Sequence, residues 1–574
     1  MIIKDSVWRW IPHYRDIPDL DEVGLSGFET GSKVGKDGTV IVAHNIEIDN
    51  DQDSIDRINL HDFELRDEAN RPWWKFFDDF EYRFNSKVRS RQSRFRWGEK
   101  NMPFLEKKLL IKLNILITLY SFVGYWVKYL DQANITNAYV SGMREEIGMA
   151  QNDYINAQSM YNAGAVIFQV FFMYLLPRVP LHYLIGGSEL IWGFITLAHY
   201  AVQTPTQLYA LRFLVGAAES GYFILWHFCF SNYFLPTELG LVGGFYYCGQ
   251  MLGYLTSGLI AGQTSATMEG VGGLSGWRWL FIIDAIITIP VALLGFIMIP
   301  GTPYNCYSIF LTDDEVRLAR SRLKKANISP ASPNPPPFFS KKVWKNIIFD
   351  WRIYILSVLD YCFWSSNQNT GGGIALWLKA DKSYSIPTLN RLTSIPPALG
   401  ILFILLVNIG ADIYKSRVLS ISWAYSLNLI GNVILAIWDV PDSAKWFAFM
   451  LGYMSITVSS VIYGWMNDIM RHDAQERAIV LLFTNLFSQQ FRAWLDRIVF
   501  PTVDAPRYHT GYVYASCHTA GTVVMAFVTL WFYKRQEKKD AKKNGILLYD
   551  STKPIPAEIK RLLDESESSS NISS

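Results

Sequence analysis

The chain has 574 residues, of which 50% are hydrophobic, 15% aromatic and only 18% charged, against about 25% charged in an ordinary soluble domain. Residues 1–110 and 534–574 are hydrophilic and almost everything between them is apolar, which excludes a soluble globular protein. The net charge of +2 and five scattered cysteines give no sign of a nucleic-acid partner, a metal cluster or a disulfide framework.

The first stretch, MIIKDSVWRW, has no apolar run of signal-peptide length, so the first membrane helix is expected to serve as the targeting element. Residues 1–110 read as a cytoplasmic region, with little stable structure expected where Asp49, Asp51, Asp53, Asp56, Asp62, Glu64, Asp67 and Glu68 crowd together. Trp73, Phe76, Phe77, Phe80 and Phe84 then recur at helical spacing. They predict an amphipathic helix over 72–85, lying on the membrane interface or on the protein's own cytoplasmic face. A basic run from Lys87 to Lys112 follows, of the kind that marks the cytoplasmic side and favours anionic membrane lipids.

Twelve apolar spans come next, each near the roughly 20 residues needed to cross a bilayer. The first six cover 112–138, 155–176, 183–202, 207–230, 240–262 and 279–299, within a half of residues 111–300. The second six cover 351–378, 392–410, 418–438, 444–466, 477–500 and 511–533, within a half of residues 350–533. A polar connector, 301–349, separates the halves and contains the helical pattern TDDEVRLARSRLKK and the stiff segment SPASPNPPP. Lys and Arg concentrate in one set of loops, which places both termini in the cytoplasm, although Lys379, Lys382 and Arg391 cluster on the opposite side. Residues 534–574, ending ESESSSNISS, read as a disordered cytoplasmic tail. The expected fold is therefore an all-α polytopic membrane protein of two six-helix halves.

Charges at bilayer depth cost at least about 2.5–3.5 kcal/mol each, so they normally face a cavity and do something there. Span four, LRFLVGAAESGYF, carries Arg212 and Glu219 about two turns apart on one face, either as a working pair or as an ion pair that only fixes helix register. Gly216, Ala217, Ala218 and Gly221 thin the same helix and permit close packing. In span seven Trp364, Asn367, Gln368 and Asn369 precede Gly371, Gly372 and Gly373, a sequence that permits a broken, cavity-lining helix. Span eleven offers Asn485, Ser488, Gln489, Gln490 and Arg492, with Arg492 either paired to Asp496 or serving as a second anion anchor. Glu189 and His199 read as solvated interfacial residues as readily as functional ones, and Asp284 as a packing residue.

Six spans, a long connector and six more spans resemble the major facilitator superfamily. Gly410-Ala-Asp412-Ile-Tyr-Lys415-Ser-Arg417 is similar to its cytoplasmic gating loop, while the matching loop after span two, LPRVPLHYL, lacks the aspartate. Tyr129-Leu-Asp131-Gln132-Ala-Asn134-Ile, with Arg212-x-x-x-Gly216-x-x-Glu219, resembles the anion:cation symporter family and within it the fungal vitamin carriers. The resemblance implies that Asp131 and Glu219 exchange protons. It further implies that Arg212, with Gln132, Asn134, Tyr161, Trp364, Asn367, Gln368, Asn485 and Gln489, contributes to substrate binding. Asp412, Lys415 and Arg417 would form the gate. Gln132 stands where the family has an arginine, which implies one fixed positive charge fewer and a substrate with a single carboxylate. Biotin comes first, with pantothenate or an allantoate-type anion as alternatives.

The expected activity is proton-coupled import across the plasma membrane by a monomeric carrier, with no cofactor beyond the proton. A non-transporting nutrient sensor of the same fold is the competing reading. No phosphate-binding glycine loop, zinc-ligand spacing or nucleophile–base pair points to an enzyme.

Overall fold

The computed structural model describes residues 64–86, 89, 102–176, 178–325, 328, 340–369, 372–380 and 383–554, together with 12, 14, 15, 17 and 18. The acidic stretch before Glu64, most of the basic run, the proline-rich connector segment and the serine-rich terminus lie outside the described residues. The chain divides into two compact units, Met1–Arg15 with Ser93–Trp531, and Asp16–Gln92 with Phe532–Ser574.

The first unit is helical. Its first half comprises α1 (Phe104–Glu146), α2 (Asp153–Leu175), α3 (Leu181–Ala198), α4 (Pro205–Tyr233), α5 (Pro236–Thr267) and α6 (Gly276–Met298). Two connector helices follow, α7 (Asp313–Lys325) and α8 (Lys341–Ile348). The second half comprises α9 (Trp351–Ser365), α10 (Gly373–Ala380), α11 (Ile395–Tyr414), α12 (Arg417–Ile437), α13 (Asp442–Ile469), α14 (Ala474–Val499) and α15 (His509–Asp540). Eight helical stretches among the described residues are long and apolar enough to cross a membrane. The long helices α2, α5 and α14 are not among them, nor is the interrupted pair α9 and α10. All of these contribute residues to the polar cavity described below, and α9 and α10 are each too short to span a bilayer alone.

In the first half α1 packs on α5, α2 on α4 and α3 on α6; across the halves α2 packs on α14 and α5 on α11. The α2–α4 contact depends on small residues: a Cβ on Gly216 would lie 2.0 Å from the Tyr161 carbonyl oxygen, and one on Gly164 would lie 2.2 Å from that of Phe213. The backbones touch there, as the thin helix of the sequence suggested. Span seven is indeed divided, into α9 and α10, and Gly372 before α10 has φ +68°, a conformation that favours glycine.

Helix α7 follows from its sequence. Thr312 and Glu315 cap it reciprocally, through Thr312 N–H to Glu315 Oε2 (2.9 Å) and Glu315 N–H to Thr312 Oγ1 (3.4 Å). It is fastened to the first half by Lys112–Glu315 (2.7 Å), Arg322–Glu106 (2.6 Å) and Arg322–Glu238 (2.5 Å).

The second unit corrects three expectations, one of them that little stable structure forms among the acidic residues, since Glu64–Asp67 is a strand. Residues 72–85 are not one amphipathic helix: a short 3-10 turn, Trp73–Phe77, gives way to further turns. Asp78 Oδ1 accepts from the Phe80 N–H (3.2 Å), a local bond that competes with the helical ladder. Nor is the tail beyond 534 wholly disordered. Strand β1 (Glu64–Asp67) pairs in parallel with β2 (Ile546–Tyr549), in the register Glu64↔Ile546 to Asp67↔Tyr549. Tyr82, Ala541 and Ile546 form a small core, and Glu81 accepts from Arg71 (2.6 Å) and Lys534 (2.8 Å). Asp67 receives the Ser551 hydroxyl (2.7 Å) and N–H (3.1 Å). Apart from Arg71 and Glu81, these partners lie more than 450 residues apart in sequence, beyond the reach of any local signal.

Candidate functional site

A cavity of about 220 Å³ lies between the two halves of the helical unit. It is lined from the first half by Lys128, Gln132, Tyr161, Arg212 and Glu219, and from the second by Trp364, Asn367, Asn485, Gln489, Arg492 and Asp496. Its volume is below the roughly 300–1,000 Å³ of drug-sized sites, which suits a small ligand.

The first wall is built around Glu219, which is fully buried at the end of the thinned part of α4. Its Oε2 accepts from the Tyr161 hydroxyl (2.8 Å) and the Gln132 amide (3.1 Å), and Gln132 also donates to Tyr161. The close α2–α4 approach brings Tyr161 there. Lys128, one turn before Gln132 on α1, places its Nζ 3.7 Å from the same Oε2. Asp131 is buried behind the cavity, where its Oδ2 accepts from Thr196 (2.6 Å) and its carboxyl is near enough to that of Glu219 for the two to interact, each keeping one oxygen without a hydrogen bond among the described residues. Two carboxyls so placed can share one proton.

Arg212 makes no ion pair with Glu219, so the two are not a register-fixing pair. Its guanidinium lies over the Tyr161 ring, 5.0 Å from the centroid, and is buried with its Nε and Nη1 unpartnered among the described residues. An isolated buried charge is costly, and an incoming anion would relieve that cost.

Lys128 was not singled out in the sequence, and it overturns the charge count drawn from Gln132. The wall holds two cations, one of them supplied a turn earlier than the family pattern places it. The signal was present: YWVKYLDQAN puts a lysine in the middle of an apolar span.

The second wall is more fully satisfied. Trp364 donates from Nε1 to the Tyr463 hydroxyl (3.0 Å), and that hydroxyl donates to Asp360 Oδ1 (2.6 Å). Asp360 Oδ2 accepts from Ser488 (2.6 Å). Arg492 lies 3.4 Å from Asp496 and over the Trp364 ring, so it is Asp496's partner. Asn485 accepts from Gln169 of α2 (2.7 Å), a hydrogen bond that ties the halves together.

Two predicted ligand residues do not reach the cavity. Asn134 donates to Asp284 (2.7 Å) and accepts from Ser257 (2.6 Å), joining α1, α5 and α6. Gln368 donates to the Ala448 carbonyl (3.0 Å) and packs α9 against α13. Both are buried and spend their amide nitrogens on protein, although Gln368 Oε1 has no hydrogen-bond partner among the described residues. In the gating loop Lys415 ends α11 at φ 54° and Arg417 pairs with buried Asp468 (3.1 Å); the side chain of Asp412 lies outside the described residues. Glu189 and His199 are fully buried rather than interfacial.

The Major Facilitator Superfamily profile matches residues 121–492. The chain is 37% identical over 588 aligned positions, covering 98% of both chains, to the vitamin H transporter of Saccharomyces cerevisiae. It is 31% identical to a pantothenate transporter of Schizosaccharomyces pombe, covering 71% of this chain and 79% of that one. The solved structure of the proton:xylose symporter XylE with 6-bromo-6-deoxy-D-glucose superimposes with a TM-score of 0.55 at 13% identity, over 71% of this chain and 94% of that one. That likeness shows the fold alone. The protein is a membrane-embedded transporter with a small-molecule substrate, and the chain belongs to the Major Facilitator Superfamily.

Proposed function

We propose that this protein is a monomeric symporter of the plasma membrane that imports a small monocarboxylate vitamin, biotin, together with protons. In this reading the chain crosses the bilayer twelve times and both termini are cytoplasmic. The observation that carries the proposal is the first wall: a buried guanidinium with two nitrogens unpartnered among the described residues, in company with a lysine and two neighbouring carboxyls. With Asp131 and Glu219 both ionised, Lys128 and Arg212 are balanced and the wall has no net charge. Each proton loaded raises the charge of the wall by one, so a monoanion binds best after protonation. That dependence of anion affinity on the proton is the coupling. Similarity to the vitamin H transporter along nearly the whole chain supports biotin, and the pantothenate relative marks the neighbouring substrate class.

The test is uptake by purified protein in proteoliposomes, with biotin, pantothenate and allantoate offered separately. Biotin should accumulate only while an inward proton gradient is maintained. Undiminished accumulation after addition of a protonophore would overturn the coupling, and uptake of none of the three would favour a sensor.

A further inference from the structure

The first half contains a third carboxyl that the mechanism above does not use. Glu189 of α3 is fully buried, and each of its oxygens accepts from a phenol: Oε2 from Tyr120 (2.5 Å) and Oε1 from Tyr222 (2.6 Å). Two glycines make room for this arrangement. A Cβ on Gly124 of α1 would lie 1.9 Å from the Tyr222 hydroxyl and 2.7 Å from Glu189 Oε1. A Cβ on Gly295 of α6 would lie 2.3 Å from the Tyr120 hydroxyl and 3.3 Å from Glu189 Oε2. The site is therefore assembled from four helices around one carboxyl.

Its place along the helices is ordered. Thr196, which holds Asp131, is seven residues further along α3 than Glu189, about 10 Å at the helical rise. On α1 the order is Tyr120 and Gly124 at Glu189, then Lys128, then Asp131; on α4, Tyr222 follows Glu219 by three residues. Lys128 Nζ lies at Glu219 and over the Tyr222 ring, 5.6 Å from its centroid. The groups facing Glu189 are thus Tyr120 and, beyond Tyr222, Lys128 from α1, and Tyr222 from α4. From α6 come Gly295 and the Val291 carbonyl, which also accepts from Tyr120 (3.1 Å), whereas Asp284 is with Asn134. No cation pairs with Glu189 directly among the described residues.

We infer that Glu189 is a proton-relay site on the cytoplasmic side of the coupling pair, receiving the proton released from Glu219 by way of Lys128 and Tyr222 and passing it inward past Tyr120. The inference rests on the symport reading and on its orientation of the chain. The step is a proton transfer only. The Lys128 ammonium gives a proton through the Tyr222 hydroxyl to the Glu189 carboxylate, and the amine so left takes the proton of Glu219–H, which becomes a carboxylate. Tyr222 donates its own proton to Glu189 as it accepts another, so neither phenol changes charge overall.

The experiment uses the full chain in proteoliposomes, with internal and external pH set independently and biotin as the probe. For wild type, uptake should depend on both. Glu189→Gln keeps the hydrogen-bonding shape but cannot accept the proton; it should lose the dependence on internal pH, retain that on external pH, and leave biotin counterflow unchanged. Tyr222→Phe, which deletes one hydroxyl and leaves the carboxyl, interrupts the same route and should also lose the internal dependence, so the idea stays testable if Glu189→Gln does not fold. A purely structural Glu189 would lower yield or thermal stability and leave both pH dependences in place, which would overturn the inference. If wild type itself shows no pH dependence, the symport reading fails first, independently of Glu189.

Discussion

The two walls of the cavity hold similar numbers of ionisable groups and treat them differently. In the second, Asp360 accepts two hydroxyl donors, and Arg492, although its Nε makes no hydrogen bond among the described residues, has the Asp496 carboxylate 3.4 Å away. In the first, among the described residues, Arg212 has donors with neither hydrogen bond nor ion pair, and Glu219 and its neighbour Asp131 each keep one oxygen unpartnered. A group whose bonding is complete can shape a site, but it has nothing left to offer a ligand or a moving proton. Incomplete bonding at several kcal/mol of desolvation cost persists where a ligand or proton completes it. The first wall is accordingly assigned to charge recognition and coupling, and the second to shape.

The largest expected effect is at Glu219. Each charge carried inward at about 100 mV is worth about 2.3 kcal/mol, or roughly fiftyfold accumulation. Glu219→Gln should reduce accumulation to simple equilibration while biotin exchange continues. Uptake against a gradient by that variant, measured in proteoliposomes, would move the coupling site elsewhere.

Arg212→Ala comes next. Losing a charge-assisted contact to the substrate carboxylate should cost about 2–3 kcal/mol, on the order of a hundredfold in affinity. Amidating that carboxylate should cost a similar amount, and the two losses should not add because they remove one contact. Since Arg212 has no ion-pair partner among the described residues, the thermal stability of Arg212→Ala should hold or rise, unlike that of a variant losing a structural arginine. Binding assays with biotin and biotin amide, together with thermal unfolding, check all three.

How much of this was legible follows the same division. Asp131, Arg212 and Glu219 could be read from sequence because a charge in an apolar run is conspicuous whatever surrounds it. The uncharged polar residues could not be sorted. Asn134 and Gln368 look like Asn367 and Gln489 in sequence, yet the first two donate to protein away from the cavity and the others line it. Polarity at membrane depth announces that a partner is needed, not whether that partner is a helix or a substrate. Lys128 was as conspicuous a charge as Asp131 or Arg212, and only its partner, Glu219 on another helix, lay beyond the sequence. Aromatic spacing at 72–85 misled for a local reason, the Asp78 turn, and the β1–β2 pairing is set by tertiary structure alone.

The smallest effect is expected at Asp496, and it tests the comparison most directly. Asp496→Asn removes the carboxylate beside Arg492 and gives the second wall what the first already has, a cavity-lining guanidinium without an ion-pair partner. If charge recognition belongs to the first wall, biotin affinity should change by no more than about threefold, under 1 kcal/mol. The protein should lose some thermal stability, because a buried charge has lost its partner. Combining the variant with Arg212→Ala is more informative still. Arg492 then becomes the less encumbered guanidinium of the cavity, and any recovery of affinity over Arg212→Ala alone would come from the new anchor. A modest recovery is expected, without recovery of proton-driven accumulation, because Arg492 sits on the wall away from the Asp131–Glu219 pair. A hundredfold loss from Asp496→Asn alone would mean that the Arg492–Asp496 pair, rather than Arg212, receives the substrate carboxylate.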